Sequence, residues 1–279
     1  MYEMNGARVG AHEAIETTTI TAGELTWDVG TSGPWDGRPL LLLHGFPEYW
    51  RTWATVMPAL ASQGFRVHAA ALPGYGRTSP PDAYDIDTVA SHIADLCDEI
   101  SGGGRCDIVG HDWGGILAAA VASLHAGGVR SVTLACCAHP AVVAAGRRDP
   151  RQVLRSLYIG MFQIPGIEHL LARPALLERL SPGTSEIETA EEMTRALAYY
   201  RANLRPWALR RSAAGAIEVP GLVVHARGDV AITETIMRAT ADHVRDLRGF
   251  EVLDCGHFIH RECPDQLLAV LLPFLREVE

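Results

Sequence analysis

The sequence predicts an α/β protein, a mostly parallel central sheet flanked by helices with a helical insertion late in the chain. Three observations carry this. Apolar runs of strand length alternate with helix-length runs as far as Cys136, the pattern of strand–helix winding of one sheet. Between about Pro140 and Glu218 the pattern turns helical, broken by Pro150, Pro165, Pro174, Pro182 and Pro206, with no convincing strand. After Pro220 the strand–helix rhythm returns.

Taken in order, Ala14–Ile20 and Glu24–Val29 alternate apolar and polar residues like an antiparallel entry hairpin. Pro39–Leu43 reads as a strand, Trp50–Gln63 as a helix, Arg66–Ala71 as a strand and Ile86–Ile100 as a helix. Cys106–Val109 is a strand, Gly115–His125 an Ala-rich helix and Val129–Cys136 a strand. Beyond the insertion come a strand at Gly221–His225, a helix near Thr233–Val244, a strand at Gly249–Leu253 and a last helix within Pro264–Val278. At 279 residues the chain has reached the size at which a single core stops growing. The expected division is therefore a core domain of residues 1–140 and 219–279, with 141–218 inserted as a cap.

Composition removes several function classes. Hydrophobic residues make up 48% and charged residues 20%, the balance of a folded soluble protein. The net charge is -9, every basic residue is Arg, and no basic stripe occurs, so nucleic acid is not an expected partner. Six scattered cysteines form no C-x-x-C pair and read as separate buried thiols in a reducing compartment. Met1–Gly10 has no apolar signal core, and Ile116–Leu124 and Leu267–Leu272 are shorter than the roughly 20 residues of a membrane span. A cytoplasmic monomer or homodimer away from membranes is the expectation.

The chemistry centres on Gly110-His111-Asp112-Trp113-Gly114, which follows an apolar strand and opens a helix, the context of a nucleophile elbow. Asp stands at its tip where Ser is the usual residue. Small flanking residues let the chain turn sharply and hold the central side chain out above the sheet. An oxyanion hole needs the N–H of the next residue, Trp113, and a second N–H from a loop after an earlier strand. His44-Gly45-Phe46-Pro47-Glu48 supplies that loop, with Phe46 as donor and His44 as a hydrogen-bonding side chain beside the site. Asp229, after the strand ending at His225, and His257, in the loop after the last strand, complete an Asp-Asp-His order. His260 is the competing base.

These strings, with Leu72-Pro73-Gly74-Tyr75-Gly76-Arg77-Thr78-Ser79 and Cys255-Gly256-His257-Phe258, resemble the epoxide hydrolases of the α/β-hydrolase fold over essentially the whole chain. The resemblance implies that fold, a helical cap, Asp112 as nucleophile and no metal or organic cofactor. The substrates would be a small hydrophobic epoxide and water. Tyr158 and Tyr200 lie in strings similar to the family's ring-opening tyrosines, with Tyr199 the neighbouring alternative. An opening epoxide leaves an alkoxide that needs a proton, and a phenol of reference pKa near ~10 can give one. His44, Trp113, Met161 and Phe162 are then expected around the substrate. Haloalkane dehalogenases share the Asp-His-Asp set and are the alternative, although Phe46 stands where that group often has a second halide donor. A non-catalytic ligand-binding protein of the same fold is the other alternative.

Overall fold

A computed structural model describes residues 15–143, 148–180, 186–205, 208–209 and 212–278. Met1–Gly10, Ala14, Pro182 and Pro206, which figure in the reading above, lie outside them.

The core is one sheet of eight strands: β1 (Glu16–Ala22), β2 (Leu25–Ser32), β3 (Arg38–Leu43), β4 (Phe65–Ala70), β5 (Cys106–His111), β6 (Val129–Ala135), β7 (Ile217–Ala226) and β8 (Val244–Leu253). Their order across the sheet is β1-β2-β4-β3-β5-β6-β7-β8. Only the β1–β2 and β2–β4 pairings are antiparallel. The middle strands are buried on both faces, as a parallel sheet covered by helices requires, and Leu40 to Leu43 are wholly shielded. The edges are polar. β1 exposes Glu16 to Thr19 and β8 exposes Arg245, Arg248 and Glu251, which discourages pairing with another sheet.

Helices α1 (Met57–Ala61), α2 (Ile86–Ser101) and α3 (Trp113–Leu124) connect the first strands. α2 starts where Asp85 accepts the Thr88 N–H, and it ends at Gly102 in the left-handed region. Between β6 and β7 lie α4 (Pro150–Arg155), α5 (Leu157–Met161), α6 (Ile167–Leu171), α7 (Pro174–Leu180) and α8 (Ala190–Asn203), then a short hairpin of Leu204–Arg205 and Ala208–Leu209. Helices α9 (Glu234–Ala241), α10 (Ile259–Glu262) and α11 (Pro264–Glu277) finish the chain.

Several elements differ from the reading above for identifiable reasons. The helix expected over Trp50–Gln63 is a 3₁₀ turn, Trp50–Trp53, followed by α1, because Pro58 is tolerated only in a helix's first turn. β7 begins at Ile217 and runs through Pro220, which is possible because β6 pairs with it only from Gly221 onward. β8 begins at Val244, earlier than expected, as an exposed edge strand whose charges mask its period. Cys255 and Cys263 are not separate thiols but a disulfide, formed where α10 folds the chain back on the end of β8.

The lower ends of the central strands are tied by a buried carboxylate. Asp107 on β5 receives Arg38 of β3 through two hydrogen bonds, at 2.6 and 2.8 Å, and Ser131 of β6 at 2.6 Å. At the upper end the connections diverge, with β3 leading to β4 on one side and β5 to β6 on the other. That is the switch point of an α/β sheet, where ligands bind beyond the carboxyl ends of the strands.

Candidate active site

Asp112 sits at this switch point, between β5 and α3. Its φ of 51° and ψ of -119° place it outside the regions an ordinary side chain prefers, the strain that a nucleophile elbow holds. The turn is tight enough that a Cβ on Gly110 would lie 2.2 Å from the Gly114 carbonyl oxygen. Across the site, a Cβ on Gly45 would come within 2.4 Å of the Asp112 Cβ. That close approach lets the Phe46 N–H donate to Asp112 Oδ1 at 3.0 Å. Trp113 opens α3, so its backbone N–H belongs to the first turn, where helix donors have no intrahelical partner.

His257 follows β8 and stands between two carboxylates. Its Nδ1 is 3.0 Å from Asp229 Oδ1 and its Nε2 is 3.6 Å from Asp112 Oδ2. Burial alone would lower the imidazole's pKa, but the charges and contacts of Asp229 and Asp112 outweigh it and push it up to about 10. Burial likewise works to raise Asp229, yet His257 and the N–H groups of Ile232 and Ala231 hold it below the usual carboxylate range. The carboxylate Oδ1 thus accepts from the loop backbone as well as from the histidine, which fixes its direction.

His260 is placed elsewhere. It lies 3.1 Å from Glu48 Oε1 and 2.6 Å from the Thr52 hydroxyl, fully buried. Glu48 Oε2 is 3.2 Å from His111 Nδ1, and the other nitrogen of His111 donates to the His257 carbonyl at 2.9 Å. A buried chain therefore runs from His260 through Glu48 and His111 to the backbone of His257. Burial opposes the charge on Glu48, but the two histidines hold its carboxyl well below the usual range. Glu48, His111 and His260 also form a set whose donor atoms all lie within 4.8 Å, the spacing of a metal site. Those atoms are engaged with one another instead. No role for Glu48 or His111 follows from the sequence alone, where their one signal is a place inside the two glycine-containing strings.

Cys136, at the end of β6, was also missed. It shares with Asp112 the distinction of a positive φ, 47°, among the described non-glycine residues. Its thiol is buried beside Asp229, and burial first and that carboxylate second push its pKa up.

Two tyrosines line a cavity of about 400 Å³ together with Asp112. Tyr158 lies on α5, behind α4, which is fastened to the core by Gln152 and Arg155 donating to the carbonyls of Ala231 and Ile232. Tyr200 lies on α8, whose start carries a Thr189–Glu192 capping box and whose end is held by Asn203 donating to the Tyr84 carbonyl. The Tyr200 ring packs edge-on against Trp113 at 5.1 Å and Phe46 at 5.3 Å. Burial, then the charge of Asp112, raises the Tyr158 phenol, and burial with Tyr158 and Asp112 raises Tyr200. Both stay protonated at neutral pH. Tyr199 turns away and donates to the Pro73 carbonyl at 2.8 Å.

Of the residues expected around the substrate, Trp113 lines the cavity. His44, Met161 and Phe162 do not. His44 is buried below it, Nδ1 donating to the Gly45 carbonyl and Nε2 accepting the Leu72 N–H, and burial lowers its pKa to about 4. Met161 points outward at 40% exposure, and Phe162 is packed against Phe46 and Tyr200.

A sequence model of the Alpha/beta hydrolase family matches residues 40–270. The chain belongs to the alpha/beta hydrolase family. Within this family it is 30% identical to epoxide hydrolase A of Mycobacterium tuberculosis over 300 residues, covering 87% of this chain and 92% of that one. The AB hydrolase superfamily protein YfhM of Bacillus subtilis is 27% identical over 286 residues, covering 95% and 99%. A solved structure described among novel epoxide hydrolases of the alpha/beta hydrolases superfamily, from metagenomes of hot environments, superposes with a TM-score of 0.80 at 28% identity, covering 94% and 99%. No helix among the described residues is long and apolar enough to cross a membrane.

Proposed function

We propose that this alpha/beta hydrolase is an epoxide hydrolase that converts an epoxide to a vicinal diol through an ester on Asp112. The observation that carries the reading is the cavity in which two protonated phenols, Tyr158 and Tyr200, share the lining with Asp112. The helical segment between β6 and β7 acts as the cap that supplies them.

With Oδ1 held by Phe46, Asp112 Oδ2 attacks an epoxide carbon and the carbon–oxygen bond opens. A tyrosine proton passes to the departing oxygen as the alkoxide forms. The product is a hydroxyalkyl ester, and the charge on Asp112 is gone. His257 has then lost one of the two carboxylates that raised its pKa, so it returns the proton the tyrosine gave up and becomes a neutral base. Oriented by Asp229, it takes a proton from water, whose oxygen attacks the Asp112 carbonyl carbon. The oxyanion forms on Oδ1, facing the Phe46 N–H and the start of α3. Collapse releases the diol and restores the carboxylate and the imidazolium. This chain needs no metal or organic cofactor for these steps.

The test is turnover of styrene oxide by the wild type and the phenylalanine variants. The double Tyr158→Phe, Tyr200→Phe variant is expected to lose about 10²–10⁴-fold in kcat with an unchanged melting curve. Full turnover by the double variant would refute the role given to the phenols.

A further inference from the structure

The cavity is not arranged evenly about Asp112. On one side it opens into a chamber walled by aliphatic side chains, among them Val142, Ile232 and Ile236, with the partly exposed Val153 and Leu157 also in its lining. On the other side the space is filled by rings. Phe46, Phe162 and Tyr200 pack mutually with centroids 4.9 to 5.3 Å apart, contact distance for aromatic rings, and neither Phe46 nor Phe162 borders the cavity. The reacting groups therefore stand at one end of the chamber. Its volume is near the lower end of the roughly 300–1,000 Å³ of small-molecule pockets, so it suits one substituent of moderate size.

Among the described residues the lining carries no Arg, and Asp112 is the one ionisable carboxylate in it; of the polar side chains there, Gln152 is spent on the Ser156 hydroxyl, the Ala231 carbonyl and the Thr233 N–H. A charged group beside the oxirane would lose its water without gaining a partner.

We infer that the substrate is an uncharged epoxide with a single apolar arm: the arm occupies the aliphatic chamber, and the unsubstituted oxirane carbon faces the Phe46–Phe162–Tyr200 ring cluster. This rests on the epoxide hydrolase reading and adds the substrate class to it. Phe162 is thereby a specificity-determining residue that excludes a second arm without touching the reacting atoms.

The experiment compares kcat/KM of the intact protein for 1,2-epoxyalkanes of four to ten carbons with trans-2,3- and trans-3,4-epoxyalkanes of equal carbon number. Along the terminal series each added methylene is expected to raise kcat/KM by about fourfold until the chamber is full, the gain from burying one CH₂. At equal carbon number the two-armed isomers are expected to be at least about tenfold slower. Phe162→Ala should narrow that gap, and the ratio of the two substrates is independent of how much of the variant is folded. Ile236→Ala, which enlarges the chamber, should move the chain-length optimum upward and leave the two-armed isomers slow. Two-armed isomers as fast as terminal ones in the wild type would overturn the inference while leaving the epoxide hydrolase reading intact. Absence of turnover with every epoxide would instead refute that reading, and the inference with it.

Discussion

His257 is held between Asp112 and Asp229, so its protonation state reports on both carboxylates. Its pKa of about 10 in the folded protein stands above the ordinary histidine value of about 6.5. The stabilisation that this shift represents is complete below the unfolded value and is lost as the pH rises through the folded one. NMR titration of the imidazole should therefore find a midpoint far above 7 in the wild type, and a clear drop in Asp112→Asn, where one of the two charges is removed. A midpoint unmoved by that substitution would mean that Asp112 does not act on the ring. Among single residues, Asp112, Asp229 and His257 were legible because each lies in a short string at the end of a strand. Glu48 and His260 were not, because they meet across 212 positions of sequence and only the folded sheet brings them together.

At the scale of elements, the site depends on how firmly β3 and β5 are held side by side, since one carries the Phe46 donor and the other the Asp112 turn. Asp107 holds their lower ends. It is fully buried and receives Arg38, Ser131 and, at 3.4 Å, Arg130. Asp107→Ala leaves the Arg38 guanidinium, only 15% exposed, without its bidentate partner. Breaking one side of such a buried pair costs about 3–5 kcal/mol, and urea denaturation should show a loss of that size; a loss under about 1 kcal/mol would remove Asp107 from the account. The strands were legible because buried parallel strands are short runs of unbroken apolar residues, as Leu40–Leu43 illustrates. Boundaries were less so where a proline or a charged edge hides the period, at Pro58, Pro220 and β8. The Cys255–Cys263 link could not be read from spacing, because the one-turn helix α10 between them is too short to leave a pattern.

For the whole molecule, division of labour follows from topology. The sheet brings Asp112, the Phe46 N–H, Asp229 and His257 together at the carboxyl ends of β5, β3, β7 and β8. The segment inserted between β6 and β7 adds the phenols and most of the cavity lining among the described residues, and its side-chain directions are what the sequence could not reveal. Met161 and Phe162, expected beside the substrate, do not line the cavity for that reason: on the short helix α5 the face holding Tyr158 turns inward, Met161 is 40% exposed and Phe162 packs into the ring cluster. In the proposed reaction this assembly forms an ester on Asp112 and cleaves it at the Asp112 carbonyl carbon. Single-turnover reaction with excess enzyme in ¹⁸O-labelled water, followed by mass spectrometry of the peptide containing Asp112, separates this route from direct attack of water on the epoxide. One ¹⁸O in the Asp112 carboxylate and an unlabelled first diol are expected; label in the diol with none in the peptide would refute the ester.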